Sequence, residues 1–140
     1  MADVATDEST RRPVGRVLIV DDDPSVTDTF TRMLRLEGFD VVPALSAEDG
    51  LALAATQPPD AVILDLRMPI LNGLQFLRQF RRLDGMAATP VAIVTGDYHM
   101  DESISVELLG LGAQIKYKPM WLEDLVMLAR ELVAERRKQR

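Results

Sequence analysis

The sequence predicts an α/β fold: a doubly wound, five-stranded parallel sheet with helices on both faces. Three observations predict it. Short apolar runs alternate five times with segments of helical periodicity along 140 residues. Most of these runs are apolar at almost every position, as in strands covered on both faces. Four of them end in acidic, hydroxyl or basic residues, and open α/β sheets bind ligands beyond the carboxyl ends of their strands. Right-handed crossovers then wind the helices onto both faces. The strand order 2-1-3-4-5 is carried over from other sheets of this flavodoxin-like kind, since the residues by themselves do not select an order.

The elements follow in order. Arg16-Val-Leu-Ile-Val20 is a buried strand that stops at Asp21-Asp22-Asp23-Pro24, with Asp23 as N-cap and Pro24 in the first turn. Val26, Phe30, Met33 and Leu34 recur at helical spacing until Gly38. Asp40–Pro43 is a second, weaker strand, and Ser46-Ala-Glu-Asp49 reads as a capping box for a helix to about Thr56. Ala61–Leu64 is a third strand ending in Asp65. The loop from Arg67 to Gly73, with Asn72-Gly73 read as a turn, leads to a helix carrying Leu74, Leu77 and Phe80. Pro90–Val94 is a fourth strand, ending in Thr95-Gly96, and a short helix near residues 101–109 follows. Gln114–Tyr117 is a fifth strand ending in Lys118-Pro119. The last helix, about residues 121–137, carries Leu122, Leu125, Leu128, Ala129 and Leu132 on one face.

Composition narrows the class. The chain is 47% hydrophobic and 27% charged, enough for one packed core. The reading is a domain over residues 15–137, a disordered tail over 1–14 and a basic tail over 138–140. The absence of cysteine excludes a disulfide scaffold and a cysteine-ligated metal, and fits a reducing cytosol. No apolar run approaches the roughly 20 residues of a membrane span, and the N-terminus has no signal-peptide pattern, so a cytoplasmic location is expected. A net charge of −6 argues against nonspecific nucleic-acid binding. Arg11-Arg12 and the C-terminal Arg136–Arg140 cluster read as a tail and as the cationic end of a helix.

The polar residues carry the chemistry. In the predicted sheet Asp21, Asp22, Asp65, Thr95 and Lys118 all fall on one rim. Crowded carboxylates repel by about 1 kcal/mol in water and ~4 kcal/mol at intermediate dielectric for a pair ~4 Å apart. A cation relieves that repulsion. Mg²⁺ takes oxygen ligands and joins carboxylates to phosphates, and an aspartate can act as a nucleophile and form an acyl phosphate. A lysine and a hydroxyl bind the remaining phosphoryl oxygens, and Gly96 leaves room for the incoming group.

The segments Val17-Leu-Ile-Val-Asp21-Asp22-Asp23-Pro-Ser, Ile63-Leu-Asp65-Leu-Arg-Met-Pro69 with Asn72-Gly73, Val94-Thr95-Gly96 and Lys118-Pro119 resemble the response-regulator receiver family of two-component signalling, in its stand-alone form. The resemblance runs from about Arg16 to the last helix. It implies that Asp65 is the phosphoacceptor. It implies that Asp22 binds Mg²⁺ directly, that Asp21 assists partly through water, and that the Arg67 backbone carbonyl is a further ligand. Thr95 and Lys118 are the implied hydroxyl and cationic partners of the phosphoryl group, and the bond before Pro119 is expected to be cis. Arg67 and Asp97 occupy positions that tune phosphoryl loss in the family. The family's switch aromatic aligns with Ile115. Tyr117 shares that strand face but lies nearer the site, so Ile115 and Tyr117 are the candidate switch positions.

Other residues have plainer readings. Asp60 is a loop acid, Lys116 an outward charge on an edge strand, and His99 a solvated loop residue. Trp121 either packs or anchors a partner. The expected function is a phosphorylation-dependent switch, not a classical enzyme. Its donor is a histidine kinase or phosphotransfer protein. Its output is protein–protein contact or homodimerisation through the fourth helix, fifth strand and last helix, because no output domain follows residue 140. The competing readings are a pseudo-receiver that binds partners without phosphorylation and, more distantly, an aspartate-based phosphohydrolase.

Overall fold

The computed structural model describes residues 14–139. Five strands and five helices alternate: β1 (Arg16–Val20), α1 (Pro24–Leu36), β2 (Asp40–Ala44), α2 (Ala47–Thr56), β3 (Ala61–Leu64), α3 (Gly73–Phe80), β4 (Val91–Thr95), α4 (Glu102–Gly110), β5 (Ala113–Tyr117) and α5 (Leu122–Lys138). All neighbouring strands are parallel and the order is β2-β1-β3-β4-β5, as expected. Winding reverses between β1 and β3, so the cleft opens there. The expected tail lies outside the described residues except for Val14, as do Arg11 and Arg12. The Val14 N–H donates to the Gly38 carbonyl at 3.0 Å, and its side chain packs on the core.

Strand parity divides the core into two layers. Val17, Ile19, Ile63, Ala92 and Val94 face α1 and α5, where Phe30, Leu34, Leu125, Leu128, Ala129 and Leu132 meet them. Leu18, Val20, Val62, Leu64, Val91 and Ile93 face the other way, onto Ala47 and Ala54 of α2, Phe76, Leu77 and Phe80 of α3, and Leu108 of α4. Consecutive residues of these three strands are therefore buried on opposite sides, which is why their runs are apolar throughout. Each fully buried aliphatic side chain contributes on the order of 1.5–3 kcal/mol.

The helix starts follow local chemistry. Asp23 accepts the Ser25 N–H at 2.9 Å and Pro24 opens α1. Ser46 accepts the Asp49 N–H at 3.1 Å. Asn72-Gly73 differs from the predicted turn: it starts α3. Asn72 and Gln75 form a full capping box, each side chain bonding the other's backbone at 2.9–3.0 Å. The signal was present as Asn-x-x-Gln three residues apart. Gly38, at φ +95°, ends the α1 turn as predicted.

Candidate functional site

Register brings the acids together. Val20 pairs with Leu64 in the β1–β3 ladder, so Asp21 and Asp65 leave the sheet side by side. The Asp65 N–H still donates to the Val20 carbonyl at 2.9 Å. On the other side of β3, Leu64 pairs with Ile93 and Ile93 with Ile115, which carries Thr95 and Lys118 to the same rim. The Lys118 N–H donates to the Thr95 carbonyl at 2.8 Å. The five predicted residues Asp21, Asp22, Asp65, Thr95 and Lys118 share this rim.

Asp21 is buried and tied down. One carboxylate oxygen accepts the Asp23 N–H at 2.9 Å and the other accepts Lys118 Nζ at 3.1 Å. Its carbonyl accepts the Thr27 hydroxyl at 2.9 Å, a buried contact that the sequence reading missed. Asp22 is exposed. Asp65 is buried, with one oxygen 3.7 Å from Lys118 Nζ. Burial pushes the Asp65 carboxyl above its usual range; Lys118 opposes that shift and Asp21 adds to it. For Lys118, burial works against the charge, but the hydrogen bond and charge of Asp21, with Asp65 beyond, raise its pKa. Oxygens of Asp21, Asp22 and Asp65 lie within 4.8 Å of one another, close enough to hold one cation.

Thr95 is fully buried, and its hydroxyl accepts the Asp97 N–H at 3.1 Å. Asp65, Arg67, Thr95, Gly96, Asp97 and Lys118 line an open cleft of about 420 Å³. A side chain added at Gly96 would meet only open space, so the cleft is unobstructed there. Arg67 and Asp97 form a pair across the cleft mouth, with Arg67 Nε donating to Asp97 at 2.8 Å and a second nitrogen contacting the same oxygen. This hydrogen bond holds the Asp97 carboxyl below its usual range. Both residues were predicted to matter; their pairing across 30 positions was not legible.

Gly73 has a positional reason. A Cβ there would lie 2.5 Å from the Asp65 carbonyl oxygen and 2.9 Å from Leu66 Cα, so α3 approaches the Asp65 backbone only because residue 73 has no side chain. The loop between them holds a second unforeseen feature. Ile70 has φ +70° and the Leu71 N–H donates to the Pro69 carbonyl at 2.8 Å, closing a three-residue turn around an exposed β-branched residue.

The remaining residues separate cleanly. Ile115 is half-buried against the core, whereas Tyr117 is exposed and stacks on Tyr98 with centroids 5.5 Å apart. The Lys118-Pro119 bond is cis, as expected. Asp60 does more than the loop-acid reading allowed: it accepts the Arg16 N–H at 2.8 Å and closes the start of β1. His99 is exposed in its loop. Trp121 is 71% exposed, which removes the packing role.

Comparison with known proteins points the same way. The family profile described as "Response regulator receiver domain" matches residues 17–130. PilH of Pseudomonas aeruginosa is 44% identical over 82 residues, covering 59% of this chain and 68% of PilH. The transcriptional regulatory protein PrrA of Mycobacterium tuberculosis is 33% identical over 121 residues, covering 86% of this chain and 51% of PrrA. The chain thus spans about half the length of that relative. Among solved structures, a CheY-like receiver domain protein from Methanospirillum hungatei superposes with a TM-score of 0.81 at 29% identity, covering 89% of this chain and 98% of that one. Chemotaxis protein CheY4 of Vibrio cholerae gives 0.76 at 26% identity, covering 84% and 97%.

Proposed function

The chain belongs to the response regulator receiver domain family, and from that premise we propose that it is a switch phosphorylated on Asp65 by a histidine kinase or phosphotransfer protein. The observation that supports this best is the placement of one buried carboxylate, Asp65, beside Lys118 at 3.7 Å in an open cleft that also contains Thr95.

The donor set fits Mg²⁺. It consists of three carboxylates with oxygens within 4.8 Å, two buried and one exposed, and hard oxygen ligands suit that ion. Asp21, Asp22 and Asp65 would hold it, with the Arg67 carbonyl as the further ligand. Bound there, Mg²⁺ offsets the carboxylate charge and stabilises charge on the phosphoryl oxygens.

The chain's own groups do the rest. A carboxylate oxygen of Asp65 attacks phosphorus, the new O–P bond forms, and the bond from phosphorus to the donor nitrogen breaks, its electron pair leaving with the donor. Lys118, a cation held by Asp21, turns its ammonium to the phosphoryl oxygens. Thr95 donates a hydrogen bond from its hydroxyl to another of those oxygens. The acyl phosphate carries about −2 where the Asp65 carboxylate carried −1, and Thr95 with the loops carrying Arg67 and Asp97 responds by a shift between two packings.

Output through α4, β5 and α5 is supported by the exposed apolar residues on those elements and at the start of α5: Val106, Leu109, Tyr117, Trp121 and Met127. The test is intact mass after incubation with acetyl phosphate and Mg²⁺. Wild type is expected to gain one phosphoryl group, dependent on Mg²⁺, and Asp65→Asn none. An adduct that persists in Asp65→Asn, or no adduct in wild type, overturns the proposal.

A further inference from the structure

The rim opposite the acidic cleft holds two neighbouring guanidiniums. Arg81 caps the C-terminal end of α3, and Arg136 lies in the last turn of α5. Among the described residues neither has an ion pair, in a chain whose net charge is −6. Arg136 donates to the Gln139 side chain at 2.9 Å and to the Gly85 carbonyl at 2.8 Å, and its Nε is buried with no partner. Burial pushes the Arg81 pKa down, and Arg136 is near enough to add to that shift. The two cations reinforce one another, and no acid offsets them.

Arg81 spends two of its three nitrogens on the fold. Nε donates to the Leu111 carbonyl at 2.8 Å, and Nη1 donates to the carbonyls of Met86 and Thr89 at 2.8 and 2.7 Å. Those bonds tie the turns before β4 and β5 to the end of α3. Nη2 takes no part in them, and no acceptor among the described residues meets it. Arg81 and Gly112 both line a cavity of about 480 Å³. Gly112 has φ +87°, and a Cβ there would lie 3.3 Å from Nη2, so any other residue would cover that nitrogen. The wall beyond is apolar, made by Ala87, Ala88, Pro90 and Leu111. Gln139 steadies one side of it by giving its amide N–H to the Ala88 carbonyl at 2.9 Å. Glu135 brings a carboxylate to the lining.

Holding the two turns does not use the third nitrogen, so the clasp alone does not account for it. Small-molecule sites are commonly cavities of about 300–1,000 Å³, mostly apolar with a few fixed polar groups. An open guanidinium edge selects an anion, and a planar carboxylate matches it. A dianion would face Glu135, so one negative charge suits this lining better than two. We propose that the cavity is a binding site for a small monocarboxylate, its carboxylate on Arg81 Nη2 and its apolar body against Ala87, Ala88, Pro90 and Leu111. The site is independent of the acidic cleft and of the phosphoacceptor reading.

The test uses the full chain labelled with ¹⁵N, hexanoate as the probe and hexanamide as its neutral control. Hexanoate at about 10 mM, enough to fill most of a site of millimolar Kd, is expected to shift the Gly110 and Gly112 amide signals and to leave Gly96 in the acidic cleft unmoved. Hexanamide is expected to bind at least about tenfold more weakly, because a hydrogen bond to a charged group is lost. Arg81→Met also loses the clasp, so Glu135→Gln reads the site in an intact fold. It removes the exposed carboxylate beside the cavity and is expected to tighten hexanoate binding by about twofold or more. No shift at Gly110 and Gly112, equal binding of hexanoate and hexanamide, or wild-type affinity in Glu135→Gln overturns the proposal. So does a response confined to Gly96, which would put the acid in the other cleft.

Discussion

At the rim where the strands begin, Arg16 and Arg81 are tied to carboxylates and carbonyls; at the rim where they end, three carboxylates crowd together beside one ammonium. At the first rim Arg16 pairs with Asp40 at 2.7 Å and gives its N–H to Asp60. Arg81 satisfies three carbonyls there, those of Leu111, Met86 and Thr89, at 2.7–2.8 Å. At the second rim Asp21, Asp22 and Asp65 crowd within 4.8 Å, with Lys118 bonded to one and 3.7 Å from another. The same sheet supports both. The difference separates polar groups that hold loops together from polar groups kept incompletely matched.

The comparison predicts opposite signs for charge-removing substitutions at the two rims, and the largest effect is at the first. Arg81→Met should lower stability by about 3 kcal/mol, because hydrogen bonds to charged groups contribute about 1.5–3 kcal/mol and the orphaned carbonyls add a desolvation cost. Urea titration monitored by circular dichroism reads this. A loss below about 1 kcal/mol would mean that water replaces the guanidinium without penalty and that the rim is not a clasp.

Gly73→Ala tests whether the second rim is soft because of its charges or because it is loosely packed. The added methyl meets the Asp65 backbone at 2.5 Å and Leu66 Cα at 2.9 Å. Backbone cannot step aside as a flexible side chain can, so a loss of about 2–3 kcal/mol is expected. Adduct formation from acetyl phosphate should fall with it, since the carbonyl under pressure belongs to the residue proposed as phosphoacceptor. Unchanged stability would show that this rim yields to any intrusion and that its repulsion has no special meaning.

Asp65→Asn should raise the stability of the metal-free protein, by on the order of 1 kcal/mol for relief of one carboxylate repulsion. The sign follows from burial, which lifts the Asp65 pKa, with Asp21 adding to the lift and Lys118 opposing it. An acid whose folded pKa is raised contributes stability that is complete below its unfolded pKa and is lost as pH rises through the folded one. The advantage of Asp65→Asn in melting temperature should therefore be largest near neutrality and shrink as pH falls into the carboxylate range. An advantage independent of pH would point to packing instead of charge.

What was legible in the sequence divides along the same line. Element order and burial parity were readable because period and apolar runs are local signals, as in Arg16–Val20 and Ala61–Leu64. The placement of Asp21, Asp22, Asp65, Thr95 and Lys118 on one rim followed from strand ends alone. The Arg81 clasp and the Arg67–Asp97 pair were not readable. Each joins loops through a long side chain, and no periodicity records where such a side chain ends. Asn72-Gly73 is an intermediate case: the capping signal was there, but the dipeptide is also common in turns, and only the approach of α3 to Asp65 selects between the two.

The smallest effect comes from Asp22, and it sharpens the comparison most. Asp22 is exposed whereas Asp21 and Asp65 are buried, so its repulsion is screened by water and salt. Asp22→Asn should raise the metal-free melting temperature by no more than a degree or two, within the range of surface substitutions of about 0.5 kcal/mol. Added Mg²⁺ should reverse the order. Wild type gains RT ln(1 + [Mg²⁺]/Kd), about 2.7 kcal/mol at a hundredfold excess over Kd, and the variant gains less because one of its three carboxylates is gone. Thermal melts with and without excess Mg²⁺ therefore cross: the variant is the more stable without metal and the less stable with it. Parallel melts would mean that the incomplete matching at this rim does not serve a cation. Asp22 would then be one more solvated surface charge.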